Sequence, residues 1–323
     1  MMRKTAMRLM AAVALSAASF GAWAQGDNWP SAKPISIIVP WSPGGFSDQM
    51  ARMIAQHLTK ALNQSVIVEN KPGAGTIIGS QYVANAKPDG YTFLMGSTSN
   101  VINQYIYRKL PYDTKKDLLP VAQVILLPNY LIVPPDSKFK TLQEVIDQAR
   151  KQPRSVSCGN YGAGTGGHLS CELLARMAGV EFVNVPYKGG MPAVQDTMAG
   201  QVDMAMVVEG LPFVMDKKVR ALGVTTPERN PYAPDIPAIA EKLPGYDVTS
   251  WQGLFAPAGT PDAIVKRVAD EVQVLLKDDA AKARMKTMGV VPVLRPTKEF
   301  AAYVNHESDR WGVLLKPMNI HLD

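Results

Sequence analysis

Two short glycine-rich segments contain the residues of this chain whose types and spacing could do chemistry. The first glycine corner, PWSPGGFSD at residues 40–48, follows the apolar run PISIIV and precedes a stretch with helical periodicity. The second glycine corner, GNYGAGTGGH at residues 159–168, has the same order of strand, glycine turn and helix start. Free amides in a first helical turn bind an anion without arginine or lysine. The two corners therefore predict a carboxylate site, to which Ser47 and Thr165 can each add a hydroxyl.

The second glycine corner also fits the pattern of a dinucleotide site. Gly162, Gly164 and Gly167 match G-x-G-x-x-G, and Glu181 follows at roughly the acidic spacing. However, Glu181 would begin its strand, whereas a ribose-binding acid belongs at the far end of that strand. No Lys-Ser or Lys-Thr pair follows the glycines, which argues against a P-loop. The glycines therefore favour contact with a carboxylate over a nucleotide cofactor.

A hydrolase is the competing interpretation from a different functional class. It would use Ser47, His168 and Asp196, but the chain has no G-x-S-x-G elbow. We favour His168 as a first-turn helix residue that hydrogen-bonds locally. The four histidines have no metal-binding spacing, so we expect no metal, no cofactor and no catalysis.

The N-terminus has the pattern of a signal peptide. Basic Arg3, Lys4 and Arg8 precede an apolar run that ends in AWA at residues 22–24. The run is shorter than the roughly 20 residues that span a bilayer. We expect cleavage after Ala24 and export to the periplasm.

Size and charge narrow the class of the mature protein. Removing 24 of 323 residues leaves 299, a length that favours two lobes. Without the three basic residues of the leader, 31 Lys and Arg stand against 28 Asp and Glu, with no basic run. This balance argues against nucleic-acid binding.

The two cysteines allow two interpretations. Cys158 and Cys171 are too few for a disulfide scaffold and have the wrong neighbours for a metal site. In an oxidising compartment they could pair, and otherwise they are small buried hydrophobes. Their spacing does not choose between a bond and free thiols.

Short apolar runs alternate with amphipathic stretches along most of the chain, which predicts a doubly wound α/β fold with mostly parallel sheets. Thr141 and Glu144 form a predicted capping box, and Thr260 with Pro261 predicts the N-cap and first residue of a long helix. The C-terminal part is mainly helical and should pack back onto the first lobe. We therefore expect lobe 1 at residues 25–127 plus 252–323, lobe 2 at 128–251, and a ligand cleft between them.

The order of several motifs resembles one family across essentially the whole mature chain. These motifs are KPISIIVPWSPGGFSD, VENKPGAGTIIGSQYVANAKPDGYTFLMGS, GNYGAGTGGHLSCELL, VPYKGGMPAVQDTMAGQVD, VRALGVTTPER and SWQGLFAPAGTP. The chain resembles the Bug (TctC-like) substrate-binding proteins of tripartite tricarboxylate transporters. The resemblance implies a type II periplasmic binding fold that closes on a small organic anion and delivers it to integral membrane permease subunits, here as a monomer.

The resemblance also implies which residues contact the ligand. The ligand-binding set that we predict is Trp41, Ser42, Gly44, Gly45, Phe46, Ser47, Asp48, Tyr161, Gly162, Ala163, Gly164, Thr165, His168, Asp203 and Val207. Trp251 and Gly253 are placed by the resemblance at the crossing between the lobes. Lys188 could supply a cation or lie in solvent.

Three departures from the family pattern bear on the ligand. Phe46 stands where a small residue is usual, and Gln252 stands where an aromatic is common. The stretch AMVVEGLPFVM after Asp203 is apolar and lacks the usual acidic or polar residue after the strand. Together the first and third favour an aromatic mono- or dicarboxylate, such as a phthalate-type acid, over a hydroxylated tricarboxylate. An exported serine hydrolase and a ligand-binding subunit of a membrane sensor remain the alternative functions.

Overall fold

Two mixed β-sheets flanked by helices make up the protein. The computed structural model describes residues 29–318, so the predicted signal peptide lies outside the described residues. The strands are β1 Ile35–Val39, β2 Val66–Asn70, β3 Thr92–Ser97, β4 Leu118–Leu127, β5 Tyr130–Val133, β6 Ser157–Asn160, β7 Val183–Pro186, β8 Met204–Val207, β9 Arg220–Val224, β10 Ser250–Pro257 and β11 Val291–Arg295.

The helices follow most of these strands and cover both sheets. They are α1 Phe46–Leu62, α2 Ile77–Ala84, α3 Thr98–Ile106, α4 Thr114–Asp117, α5 Leu142–Lys151, α6 Gly166–Ala178, α7 Gly190–Met198, α8 Gly210–Met215, α9 Asp262–Lys277, α10 Asp279–Thr287 and α11 Thr297–Leu315. Three 3₁₀ turns lie at Ala74–Thr76, Ile239–Glu241 and Lys316–Met318.

The predicted α/β class and two-lobed architecture are confirmed, and among the described strands four of six in the first sheet and four of five in the second run in the same direction. The first sheet has the order β11-β4-β10-β3-β1-β2 and the second the order β7-β6-β8-β5-β9. In the first sheet β10 runs antiparallel to both β3 and β4, and in the second β5 runs antiparallel to both β8 and β9. β5 and β10 are the first strands that the chain forms after it crosses from one sheet to the other. Each of them runs opposite to its two neighbouring strands.

The chain changes sheets twice, between Leu127 and Tyr130 and again between Val224 and Ser250. The exact lobe boundaries that we expected, at 127/128 and 251/252, stay a prediction. The C-terminal region adds strand β11 to the edge of the first sheet, which the sequence pattern had not indicated.

Two predicted helix starts differ in detail from the structure. Thr141 accepts a hydrogen bond from the Glu144 amide, but the Glu144 carboxylate accepts from Lys140 and not from Thr141. The Thr260 hydroxyl donates to the carbonyl of Pro257, and the Pro261 carbonyl accepts the first bonds of α9. Pro261 is therefore the N-cap, one residue later than expected.

The disulfide between Cys158 and Cys171 joins β6 to α6. The bond closes a covalent ring that contains the whole loop between β6 and α6. Closing a loop of this length stabilises a fold by about 3 kcal/mol, because it removes freedom from the unfolded chain.

A buried polar cluster fixes the place where the chain returns to the first sheet. Glu307 on α11 is 2% exposed, and its carboxylate accepts from the indole nitrogens of Trp251 (3.3 Å) and Trp311 (3.2 Å). It also accepts two bonds from Arg310, whose Nη1 donates to the Asp247 carbonyl at 2.8 Å. The cluster thus holds the incoming strand against the last helix.

We expect Glu307→Ala to lower the free energy of unfolding by about 3 kcal/mol or more, because it leaves a buried guanidinium and two indole N–H groups without their acceptor. Urea unfolding would measure the loss. Glu299→Ala, at an exposed position of the same helix, is the matched control and should cost less than about 1 kcal/mol. Equal losses in the two variants would contradict the role given to Glu307.

Candidate functional site

One cavity of about 620 Å³ receives side chains from both sheets and both glycine corners. Its floor includes Ser250, Trp251 and Gln252 at the start of β10. Nine of the fifteen predicted ligand-binding residues line it, namely Trp41, Ser42, Gly45, Phe46, Ser47, Tyr161, Ala163, Gly164 and Thr165. The structure therefore brings the two corners together at one cavity.

The first glycine corner presents unpaired amides to this cavity. Gly45 is the N-cap of α1 with an extended backbone and no side-chain cap, and the first intrahelical bond runs from the Gln49 amide to the Gly45 carbonyl. The amides of Phe46 and Ser47 precede that bond and have no acceptor among the described residues. Gly44 has a φ of +86°, a left-handed conformation that favours glycine.

Asp48 stabilises this corner and does not line the cavity. Its carboxylate is buried and accepts from the Gly44 amide (3.0 Å), Arg52 Nε (2.9 Å) and Asn70 Nδ2 (3.0 Å). Burial alone would raise the pKa of Asp48, but these hydrogen bonds and the Arg52 charge outweigh it and hold the pKa below its usual range. The negative charge is thus satisfied behind the corner, away from a bound anion.

The second glycine corner has the same exposed helix start. Thr165 is the N-cap of α6, and the first intrahelical bond joins the Leu169 amide to the Thr165 carbonyl. Within the described chain, the Gly166 amide has no acceptor, whereas the Gly167 amide donates to the Tyr161 hydroxyl. A side chain at Gly166 would collide with Ser250 Oγ and lie 2.7 Å from the Tyr161 hydroxyl. Only glycine therefore fits where the two sheets meet across the cavity.

Thr165 and His168 use their polar atoms to hold this loop. The Thr165 hydroxyl donates to the Gly162 carbonyl at 2.6 Å, so it is not the free donor that we expected. His168 Nδ1 accepts from the Gly164 amide at 3.2 Å. Burial lowers the pKa of His168 and outweighs the Glu172 charge, which acts in the opposite direction. The lowered pKa keeps the His168 ring neutral at pH 7.

Two further helix starts reach the cavity without having been predicted. Ser97 caps α3 by accepting from the Ser99 amide, and residues 97–99 line the cavity. Residues 188–192 do so at the start of α7, where Gly189 has a φ of +129°. A serine cap after β3 and the pair Gly189-Gly190 after β7 were the available signals in the sequence.

The parallel strands explain why these helix starts converge. Helices α1, α3, α6 and α7 follow β1, β3, β6 and β7, each of which has a parallel partner. The carboxyl ends of parallel strands lie at one edge of a sheet, which is where α/β proteins bind ligands. The cavity lies at this edge of both sheets.

Six predicted residues lie outside the cavity lining, namely Gly44, Asp48, Gly162, His168, Asp203 and Val207. Asp203 precedes β8 and accepts from the amide and the hydroxyl of Ser157, the first residue of β6. It therefore lies at the edge of the sheet away from the cavity. Val207 is fully buried in the second sheet's core, and Val208, in the turn that follows β8, lines the cavity.

Glu209 is the acidic residue that the sequence analysis missed. We described the stretch after β8 as lacking an acidic or polar residue, but Glu209 lies within it and lines the cavity. Burial raises the pKa of its carboxyl group. Glu209 is a single acidic residue within an apolar stretch, so it forms no periodic pattern. The overall apolar composition of the stretch therefore obscured it.

The residues of the competing hydrolase each have other partners. Ser47 Oγ pairs with Gln252 Nε2, His168 pairs with Gly164, and Asp196 accepts from the Tyr187 hydroxyl at 2.7 Å. Among residues 29–318 no hydrogen bond joins the three into a triad. Over the same residues, no helix is both long and apolar enough to span a bilayer.

The fold and this strand-end cavity define a two-lobed α/β solute-binding protein. The sequence model described as the tripartite tricarboxylate transporter family receptor, TctC, matches residues 50–320. The chain belongs to this family, and the predicted membership is confirmed. Its members are periplasmic solute-binding proteins that bind small carboxylates and work with tripartite transporters.

Sequence relatives extend over almost the full chain. BugT of Bordetella pertussis is 31% identical over 318 residues, which cover 96% of this chain and 97% of BugT. A UPF0065 protein from the tcbD-tcbE intergenic region of a Pseudomonas species is 38% identical over 313 residues, covering 95% of this chain and 93% of the relative.

Solved structures share the fold. R. palustris Rpa4515 with adipate has a TM-score of 0.82 and 33% identity, covering 91% of this chain and all of that one. The periplasmic binding protein BugD has a TM-score of 0.79 and 30% identity, with 90% and 99% covered. MatC from Rhodopseudomonas palustris with bound malate has a TM-score of 0.77 and 32% identity, with 88% and 99% covered.

We expect Asp48→Asn to lower the free energy of unfolding by about 2 kcal/mol at pH 7, because an amide nitrogen cannot accept from Arg52 and Gly44. The folded-state pKa of Asp48 is depressed, so its stabilisation is complete above the unfolded pKa and is lost as pH falls through the folded pKa. Urea unfolding at pH 7 and pH 3 should therefore show that the difference in free energy of unfolding between the variant and the native protein is smaller at pH 3.

The matched control is Asp262→Asn, which alters an exposed carboxylate in the first turn of α9. It should change stability by less than about 1 kcal/mol at either pH. An Asp48→Asn loss that is the same at pH 7 and pH 3 would contradict the ionised, hydrogen-bonded state assigned to Asp48.

Proposed function

We propose that this protein captures a small organic carboxylate in the periplasm, without chemistry, and delivers it to the integral membrane permease of a tripartite tricarboxylate-type transporter. The observation that carries the proposal is the convergence of unpaired helix-start amides from both sheets on one cavity. Export requires the leader at residues 1–24 to be cleaved after Ala24. The protein would act as a monomer, with no cofactor.

The carboxylate would lie between the two corners and accept from their amides. The free amides of Phe46 and Ser47 would bind it from lobe 1, and that of Gly166 from lobe 2. Helix starts stabilise anions through these N–H groups and through the helix dipole. Neutral donors of this kind hold a carboxylate without an arginine. Adipate and malate in Rpa4515 and MatC, which share this fold, support a carboxylate as the ligand class.

The walls of the cavity favour a flat, aromatic acid of the phthalate type. Trp41, Phe46, Ile102, Tyr107 and Met191 all contribute to its lining. Phe46 is half-buried, so its ring both packs against the core of the first sheet and borders the cavity. An aromatic ring stacked on Phe46 would gain about 1 kcal/mol beyond simple burial.

Capture would proceed by closure of two lobes, residues 25–127 with 252–323 and residues 128–251. The two crossings lie between the sheets, where a small rotation would bring one glycine corner toward the other. An exported hydrolase and a sensor subunit are the competing functions. A hydrolase would consume its ligand, and a sensor subunit would bind it identically but contact a different membrane protein.

The function is tested by thermal unfolding and calorimetry with phthalate, terephthalate, benzoate, nicotinate, adipate, malate and citrate. We expect at least one acid to bind and raise the melting temperature, with benzamide, the uncharged analogue of benzoate, failing to do so. Nuclear magnetic resonance spectra should show the bound acid unchanged after incubation. Tight binding of citrate and malate without any aromatic acid would refute the aromatic preference, and consumption of a ligand would refute capture.

A matched pair of variants tests the helix-start amide itself. Phe46→Ala removes only the ring, whereas Phe46→Pro removes the ring and the amide hydrogen. Proline is tolerated at the first position of a helix, and Gly45 already has the extended backbone (φ −76°, ψ 177°) that a residue before proline requires.

We expect Phe46→Pro to bind every carboxylate about tenfold to a hundredfold more weakly than Phe46→Ala, the range for one hydrogen bond to a charged group. Phe46→Ala itself should weaken aromatic acids by about tenfold and aliphatic acids less. Calorimetry measures both ratios. Equal affinities in the proline and alanine variants would show that this amide does not contact the ligand.

A further inference from the structure

Among the described residues that line the cavity, Glu209 alone has a side chain with a charge of the same sign as the proposed ligand. It follows β8 and precedes the short helix α8. Its carboxylate lies over Gly190 at the start of α7, so closely that a side chain at position 190 would collide with it. Oε2 is buried and has no hydrogen-bond partner among the described residues. The carboxylate is thus buried at the start of α7 with one oxygen unpaired.

The Glu209 carboxylate receives a hydrogen bond from its own backbone amide and lies at the start of α7, but among the described residues no cationic side chain pairs with it. Burial is the largest cause that raises the pKa of the Tyr161 hydroxyl. The negative charge of the nearby Glu209 raises that pKa further. Lys188 lines the same cavity but is exposed, and within residues 29–318 no ion pair joins it to Glu209. A buried carboxylate without a cationic partner costs several kcal/mol when it is ionised. A site that keeps such a group gains most from a ligand that pairs with it.

The side-chain oxygen of Gln252 is a second acceptor in the cavity that needs a hydrogen-bond donor. Gln252 lies in the floor, 3% exposed, and its Nε2 is paired with the Ser47 hydroxyl. Within the part of the chain that the structure describes, its Oε1 has no hydrogen-bond partner. The cavity therefore offers amide donors at the helix starts and acceptors at Glu209 and Gln252. A plain carboxylate would satisfy the donors and leave both acceptors unpaired.

We propose that Glu209 is a specificity-determining residue that accepts a hydrogen bond from an N–H group of the ligand, so that the preferred ligand is an amino-substituted carboxylate. The proposal rests on the proposed function, since the ligand's own carboxylate is taken to bind the helix-start amides. A protonated amine is the strongest such donor, because its bond to Glu209 is assisted by both charges. A second carboxylate in the same place would repel Glu209.

The experiment uses two sets of ligands that are matched in size. One set is 4-(aminomethyl)benzoate, terephthalate and 4-methylbenzoate, and the other is 6-aminohexanoate, adipate and hexanoate. Each is titrated at pH 7.5 into the full mature protein, into Glu209→Gln and into Glu228→Gln. Glu228 is exposed and outside the cavity, so its variant controls for the loss of one negative charge.

In at least one set, we expect the native protein to bind the amino acid about tenfold to a hundredfold more tightly than the methyl-terminated acid, the range of one charge-assisted hydrogen bond. Glu209→Gln should reduce that preference to about threefold or less and should bind the dicarboxylate more tightly than the native protein does. Glu228→Gln should behave as the native protein. The native protein alone supplies the first comparison, so the test does not depend on the folding of a variant.

Two outcomes would overturn the proposal, and they separate it from the proposed function. If the native protein binds the dicarboxylate or the methyl-terminated acid as tightly as the amino acid in both sets, or if Glu209→Gln keeps the preference, carboxylate capture stands and the role of Glu209 fails. If none of the six acids binds any of the three proteins, carboxylate capture fails as well.

Discussion

The site depends on one constraint: the amides of a first helical turn have no partner inside their own helix and need an acceptor from elsewhere. In this protein the starts of α1 and α6 direct such amides at one cavity, from opposite sheets. The parallel strands place these starts, because helices that follow parallel strands begin at the same edge of the sheet. The glycines keep the approach open, most strictly at Gly166, where any side chain would collide with Ser250.

The titratable side chains near these neutral backbone amides have different roles. Asp48 follows the first corner directly, yet its carboxylate turns away from the cavity toward Arg52, Asn70 and the Gly44 amide. His168, in the second corner, is neutral and accepts from the backbone of the loop. Asp48 and His168, which we predicted to be ligand-binding residues, therefore hold the two corners in shape. Glu209 differs, since its carboxylate lines the cavity and has an oxygen without a partner.

Much of this could be predicted from the sequence, and the exceptions have physical reasons. The two glycine corners were visible because glycine, serine and threonine cluster between an apolar run and a helical period. The start of α3 was not, because its capping residues continue directly from β3 without a glycine turn. Strand direction was also hidden: β5 and β10 read like any other buried strand, and only pairing in space shows that they run antiparallel. Val207 ends β8 in the core, and only the structure shows that the chain reaches the cavity one residue later, at Val208.

The most direct test of the account is a crystal structure of the mature protein with the tightest-binding carboxylate. The account predicts that the carboxylate oxygens lie about 2.7–3.2 Å from the amide nitrogens of residues 46 and 47 on one side and of residue 166 on the other. A carboxylate bound to Lys188 instead, with all three amides turned away from it or bonded to water, would contradict the central claim.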